Sequence, residues 1–497
     1  MLLPSLVQLF WLLPVVEARS TLFTDGTIIT FDEQAKETIV RHNTSVLVVD
    51  DTITAITTNA QPDDIPADVE IISAEGMILS PGFIDTHRHT WQTTHRTIAS
   101  NTTLAEYFVR YSPFSDVLSL FSPEDFYLSQ MVGLFEALNA GVTSLLDHAH
   151  NIAAEDDATV ALDAYLESSA RVFFGYNFDL RGNFSIQSRA AHFKKLQEDA
   201  RLPGSAVTMG LSCDSWHTFN ETDLQSVLDL LRNDNISVLT SHSSDGIWNA
   251  AHRPSYFEDL GLLNDSYPIV LSHATFMQQP EYEILKRYNH FISITPESEM
   301  HFGHTNDESE FFMDQASLGV DTHATFSGDI ITQARLWLQS VRLRSFKRTL
   351  DEMTVPQTNP MSVNQAFYLA TRAGARALRR DDLGIIAVGS KADIVAFNGT
   401  SPNMVGWRDP VAAVILHSNV GDVRHVMVNG ELVKRDGSLT AANVTGVMEA
   451  FAHSAQRIQE QAVRMPFTTN GGFIFNPSAV AGYPDNVDAL RGDGTGY

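Results

Sequence analysis

A chain of 497 residues that is 43% hydrophobic and 19% charged can bury a large core with room for a smaller companion domain, which excludes a disordered or fibrous protein. Its formal net charge of −27, with no run of Lys and Arg able to track phosphates, argues against nucleic acid or an anionic membrane as partner. The single cysteine, Cys213, excludes an intrachain disulfide framework.

The opening MLLPSLVQLFWLLPVVEARS is apolar over residues 2–16. That run is shorter than the roughly 20 residues a membrane-spanning helix needs, and small or β-branched residues follow it, so residues 1–18 read as a secretory signal despite the absence of Lys or Arg ahead of the apolar run. Eight Asn-X-Ser/Thr acceptors, at Asn43, Asn101, Asn183, Asn220, Asn235, Asn264, Asn398 and Asn443, independently suggest a glycoprotein that is secreted or held in a secretory lumen. No membrane contact is expected once the signal is cleaved.

Residues 19–80 read as short strands at 27–31, 45–56 and 70–79. A similar set returns over residues 383–440, at 383–398, 412–418 and 423–437, with Asn429-Gly430 as a hairpin turn. Neither flank has enough strands for its own core, so both are expected to build one small composite β-sandwich domain. Between them, residues 81–382 alternate β-rich runs with helical patterns. The runs lie at 82–87, 143–148, 171–176, 207–212, 236–242, 268–273, 291–296 and 317–321. The helix at 123–140 has Ser122 as cap, Pro123 in its first turn and Gly141 as stop, and another spans 221–233. Eight alternations predict a (β/α)8 barrel with its chemistry at the C-terminal ends of the strands. Residues 441–497 hold one amphipathic helix near 447–465 and a Gly, Pro and Asn-rich tail.

The predicted strand ends carry His87 and His89, His242, His273 and Asp321. Residues two apart on a strand share a face, so His87 and His89 can both reach the barrel mouth. Three imidazoles and a carboxylate suit one divalent ion, Zn²⁺ before Fe, with a position left for water. His148 and His150, at the end of the second strand, are read as supporting or substrate-facing groups.

PGFIDTHRHT, the later SLGVD and the closing LATRAGARALRRDDLGIIAVGSKADIVAF resemble the amidohydrolase superfamily over residues 20–440. The similarity is to the branch with guanine, cytosine and S-adenosylhomocysteine deaminases and the triazine hydrolases. It implies a single catalytic metal held by His87, His89, His242 and Asp321, with His273 bonded to the attacking water. Binuclear members carry a lysine at the end of strand four; here that end reads Gly210-Leu211-Ser212-Cys213, which implies a mononuclear site. The resemblance also places Gln92 on a lactam edge of the substrate, since an amide offers both donor and acceptor, and Trp91 could stack on a flat ring. Two departures stand out. The usual His-X-X-Glu at strand five is His242-Ser243-Ser244-Asp245, and TPESEMHFGH after strand seven puts Glu297 and Glu299 near the mouth.

The expected reaction is hydrolytic deamination of a small nitrogen heterocycle by a metal-activated water. Asp321 and His273 would handle the water's proton, and Asp245 would protonate the leaving nitrogen. Two alternatives are a hydrolase that opens a cyclic amide or displaces another leaving group, and a non-catalytic binding protein on the same fold. The partner is a small-molecule substrate, and a homo-oligomer is left open.

Overall fold

The computed structural model describes residues 20–249, 252–264, 266–305, 307–466, 482–490 and 494. The leader expected over residues 1–18 and most of the tail beyond 466 lie outside the described residues.

Eight parallel strands form the barrel sheet: β1 (Phe83–Arg88), β2 (Val142–Ala149), β3 (Arg171–Asn177), β4 (Val207–Ser212), β5 (Leu239–Ser244), β6 (Ile269–Thr275), β7 (Phe291–Ile294) and β8 (Ala316–Leu318). They hydrogen-bond in chain order from β1 to β8. Every residue of β2 and β3 is buried, as in strands covered on both faces, and Asp147 and His148 of β2 lie toward its C-terminal end at the mouth. An interior layer of Ile84, Leu146, Phe173, Val238, Val270 and Phe291 fills the barrel. A hydroxyl cluster also ties its seam, with Thr86 Oγ1 2.7 Å from Ser293 Oγ and 2.8 Å from Ser317 Oγ. The last strand meets the first just past β8: the Val320 and Asp321 amides donate to the His87 carbonyl at 3.1 and 2.8 Å, and the His89 amide donates to the Asp321 carbonyl at 3.3 Å. The closing seam is therefore built from the candidate metal-ligand segments themselves.

The helix Pro123–Asn139 starts as its sequence dictates. Ser122 Oγ accepts from the Asp125 amide at 3.3 Å, the Asp125 carboxylate accepts from the Ser122 amide at 2.8 Å, and Gly141 turns the chain at φ +86°. The C-terminal helix Val444–Ala462 docks against it, with Ser454 Oγ and Arg457 Nη2 each 2.5 Å from the Asp125 carboxylate. Among the described residues no helix is long and apolar enough to cross a membrane.

The flanks share one nine-stranded mixed sheet. Residues before the barrel supply Ser20–Asp32, Glu37–Val49, Thr52–Thr58, Glu70–Ser73 and Met77–Pro81; residues after it supply Ile394–Asn398, Val423–Val428, Glu431–Arg435 and Ser438–Leu439. The halves join where Met77–Pro81 runs antiparallel to Ile394–Asn398, with Ile394 opposite Pro81. Phe23, Ile28, Val46, Ile53, Leu79, Ile394 and Met427 form its separate core. Gly430 closes the hairpin at φ +80°, where a Cβ would lie 1.7 Å from the Asp50 carbonyl oxygen, so only glycine fits.

Two expected strands differ: of 383–398 only Ile394–Asn398 is strand, the residues before it forming turns, and the run at 412–418 is not a strand. Residues 412–418 are helical, Pro410–Ala412 continuing into the wider turn Ala413–His417. Asp409 caps this turn by accepting from the Val411 and Ala412 amides at 2.9 and 3.1 Å, with Pro410 in the first position. A short apolar run has no periodicity to separate such a turn from a buried strand.

Barrel and sheet are pinned by a buried fork. Arg171, the first residue of β3, donates through Nε and Nη2 to the two Asp393 carboxylate oxygens, both at 2.9 Å. Of the eight Asn acceptors, seven are exposed and Asn398 is half-buried.

Candidate active site

Five predicted residues converge at the C-terminal mouth. His87 ends β1 with Arg88, and His89 follows; His242 comes from β5, His273 from β6, and Asp321 from the segment after β8. His273 and Asp321 adopt the left-handed conformation, at φ +69° and +67°. Such backbone costs roughly 1–3 kcal/mol per residue and persists only where its surroundings hold it; Asp321 is held by its two main-chain bonds to the β1 seam.

Asp321 Oδ1 lies 3.3 Å from His87 Nε2 and 3.0 Å from His89 Nε2, and His89 Nε2 lies 3.3 Å from His242 Nε2. Donors set tetrahedrally at ~2.0–2.1 Å around Zn²⁺ would stand ~3.3 Å apart, so the spacing fits one such ion. Each outer nitrogen is engaged, leaving Nε2 to face inward. His87 Nδ1 meets Ser272 Oγ at 2.7 Å, His89 Nδ1 meets the His148 carbonyl at 2.8 Å, and His242 Nδ1 meets Asp214 Oδ2 at 2.7 Å. Ser298 Oγ donates to Asp321 Oδ2 at 2.5 Å. His87 Nε2 is buried, and its one near neighbour is Asp321 Oδ1 at 3.3 Å, short of good hydrogen-bond geometry, a position that a cation between the two would satisfy.

The electrostatics favour the metal-binding forms of His87, Asp321 and His273, whereas at His242 burial is outweighed by Asp214, which raises it above the ordinary histidine value. Burial drives His87 well below the ordinary histidine value. Burial would raise Asp321, but hydrogen bonds from His87 and His89 outweigh it and hold the carboxyl well below its usual range. Burial also takes His273 down to about 4. Neutral imidazoles beside an ionised carboxylate are the forms that bind a metal.

Residues 78–433 match the amidohydrolase family. The chain belongs to the amidohydrolase family. It is 26% identical over 444 residues to the 5-methylthioadenosine/S-adenosylhomocysteine deaminase of Pyrococcus furiosus, covering 86% of this chain and 99% of that one. Its fold is similar to that of a zinc-bound adenosine deaminase from Xanthomonas campestris (TM-score 0.74, 16% identity, 89% and 99% of the two chains). It is likewise similar to that of the zinc complex of atrazine chlorohydrolase from Arthrobacter aurescens (TM-score 0.72, 18% identity, 88% and 100%). This amidohydrolase is accordingly a metal-dependent hydrolase.

Other expected site residues stand elsewhere in the amidohydrolase. Asp245 is not turned to the mouth: its carboxylate forks with Arg253 at 2.7 and 2.8 Å and caps the turn Gly246–Trp248. Gln92 is fully buried, its Nε2 donating to the Tyr107 hydroxyl at 2.6 Å, so Tyr107 and not Gln92 reaches the cavity. Trp91 is core, with Nε1 bonded to His150 Nδ1 at 2.8 Å and its ring edge-on to Phe121 and Phe126. Glu297 accepts from the Ser327 amide and Gln333 Nε2, both at 3.1 Å. Glu299 accepts from the Thr295 amide at 2.9 Å and lies 3.7 Å behind His273 Nδ1. His148 is fully buried, 3.2 Å from Asp214 Oδ2.

Above the donor set opens a cavity of about 320 Å³. Tyr107, Phe108, Phe114 and Phe302 form an aromatic wall, and His150, His217, His252 and His304 face it. Among the described residues no Lys or Arg lines it, and its carboxylates are Asp214 and Asp321. Sequence reasoning missed this wall and Asp214. The aromatic cluster at 107–114 was a usable signal; so was an acid two residues beyond the end of β4.

Proposed function

We propose that this amidohydrolase deaminates an uncharged, flat nitrogen heterocycle, using one divalent ion held by His87, His89, His242 and Asp321. The observation that carries the reading is the cavity itself: ligand-spaced imidazoles and a carboxylate at its foot, aromatic rings on its wall and, among the described residues, no Lys or Arg to receive an anionic substrate. The Pyrococcus relative, named for both methylthioadenosine and S-adenosylhomocysteine, supports a purine nucleoside-like heterocycle as the substrate class. A divalent ion held by those four residues, Zn²⁺ first, would supply a water activated near neutral pH.

The chain's own groups do the rest. The aromatic wall holds the ring by its faces. His273, fixed by Thr295 Oγ1 at 2.8 Å, and Asp321, fixed by Ser298, take and return the proton of the attacking water. Water adds to the amino-bearing carbon, the C–N bond breaks, ammonia leaves and a ring carbonyl remains. The test is ammonia release by the zinc-loaded chain from neutral amino-heterocycles, 5′-deoxyadenosine among them, followed by ultraviolet difference spectra. Turnover without ammonia would favour opening of a cyclic amide, and no turnover on any heterocycle would sink the substrate class.

Export belongs to the same proposal, supported by the apolar leader and the acceptor density. The mature chain would begin near Arg19 and carry glycans on several exposed acceptors. N-terminal sequencing and glycosidase mobility shifts on native protein check this; an intact Met1 on a glycan-free chain would refute it.

A further inference from the structure

We propose that Asp214 is a positioning residue that presets His242 as a metal ligand, and that His148 braces it. The inference rests on the metal reading above. Asp214 stands two residues beyond β4 and lines the cavity. It grips His242 twice: Oδ1 accepts from the His242 backbone amide at 2.8 Å, and Oδ2 faces His242 Nδ1 at 2.7 Å. One carboxylate thus fixes both the main chain and the ring of the residue next to it in the barrel.

The chemistry selects one tautomer. An ionised carboxylate only accepts, so His242 Nδ1 must carry the proton and Nε2 must offer its lone pair. That lone pair points where His89 Nε2 lies, 3.3 Å away. The support under His87 is weaker in this respect, because the Ser272 hydroxyl can donate or accept and leaves the tautomer open. His148 completes the clasp from both ends. Its carbonyl accepts from His89 Nδ1 at 2.8 Å, and its buried ring lies with Nε2 3.2 Å from Asp214 Oδ2, an electrostatic contact rather than a well-aligned hydrogen bond. Two ligands from opposite parts of the barrel are therefore aligned through one residue of β2.

The test is Zn²⁺ affinity of the full chain by chelator competition, wild type against Asp214→Asn. The amide keeps the shape but turns an NH2 group toward either the His242 amide or its imidazole, so one of the two grips is lost. The expected result is a 10- to 100-fold weaker dissociation constant, the scale found for groups that orient metal ligands, with the circular dichroism and Tm of the metal-free protein unchanged. Equal affinity in the two proteins overturns the proposal. A wild-type chain that binds no Zn²⁺ instead overturns the metal reading beneath it. If the variant misfolds, histidine ¹⁵N spectra of the metal-free wild type decide: a proton on His242 Nδ1 supports the proposal, and a proton on Nε2 refutes it.

Discussion

Replacing Arg171 by Met breaks the fork between barrel and composite sheet. Arg171 and Asp393 have side chains 5% and 4% exposed, so water cannot repair the loss. The guanidinium contributes both 2.9 Å bonds to Asp393 and a third, Nη2 to Asn429 Oδ1 at 3.0 Å. What remains on the carboxylate is the Asn429 amide at 2.8 Å and a long contact from Ser144 Oγ at 3.4 Å. Stranding a buried charge costs roughly 3–5 kcal/mol; the surviving amide bond puts the expectation near the low end, about 3 kcal/mol. That is a large share of the ~5–15 kcal/mol typical of a folded domain. Removing both charges, as Arg171→Met with Asp393→Leu, should cost less than Arg171→Met alone. The assay is urea unfolding followed by tryptophan fluorescence, comparing midpoints at constant slope. Arg171 lies at the N-terminal end of β3, away from the mouth, so kcat of the folded variant should stay near wild type. A loss below ~1 kcal/mol for Arg171→Met, the scale of an exposed pair, or a double variant as unstable as the sum of its singles, refutes the reasoning.

His242→Ala should abolish tight metal binding and turnover together; metal analysis showing full occupancy in the variant, or two tight ions per wild-type chain, would remove the mononuclear site. Asp245→Asn should keep turnover within about threefold, because its carboxylate serves Arg253 on a largely exposed turn; a loss of ~100-fold, the scale of general acid catalysis, would restore it as the acid. The pH prediction concerns Asp125: burial pushes its carboxyl up, but bonds from Ser454, Arg457 and Ser122 outweigh burial and hold it down to about 2. A depressed carboxylate stabilises fully above its unfolded value near 3.8 and loses that contribution as pH falls toward 2. The Tm gap between wild type and Asp125→Asn should thus close over that window, and a gap that survives at pH 2 would show the contacts do not depend on the charge.

The barrel was legible because most strands open on an apolar run in the sequence and several helices carry their own start signal, as at Ser122. Strand five, expected at 236–242, ends two residues later than expected: β5 runs Leu239–Ser244, since Ser243 and Ser244 continue the ladder with His273 and Thr275. Polar residues there read as a loop, yet at a barrel mouth they face a site. The histidines and Asp321 were legible because strand ends are positions that sequence pattern fixes. Asp245 and Gln92 were not, because their orientations are set by Arg253 and Tyr107, eight and fifteen residues on, through pairings with no local pattern. Asp214 was overlooked because strand four was read for a lysine at its end.

The seam between Met77–Pro81 and Ile394–Asn398 has a consequence during synthesis. Roughly 310 residues must leave the ribosome between the two halves, which at about 5–20 residues per second takes ~15–60 s. Throughout that interval the first five strands present Met77–Pro81 as an open edge, with main-chain groups ready to pair with any other extended chain. A nascent chain stopped anywhere before residue 394 carries that edge permanently, even if its barrel is intact. Loss of the short final segment therefore leaves an aggregation-prone edge behind, and the long interval is the time in which this chain most needs a chaperone.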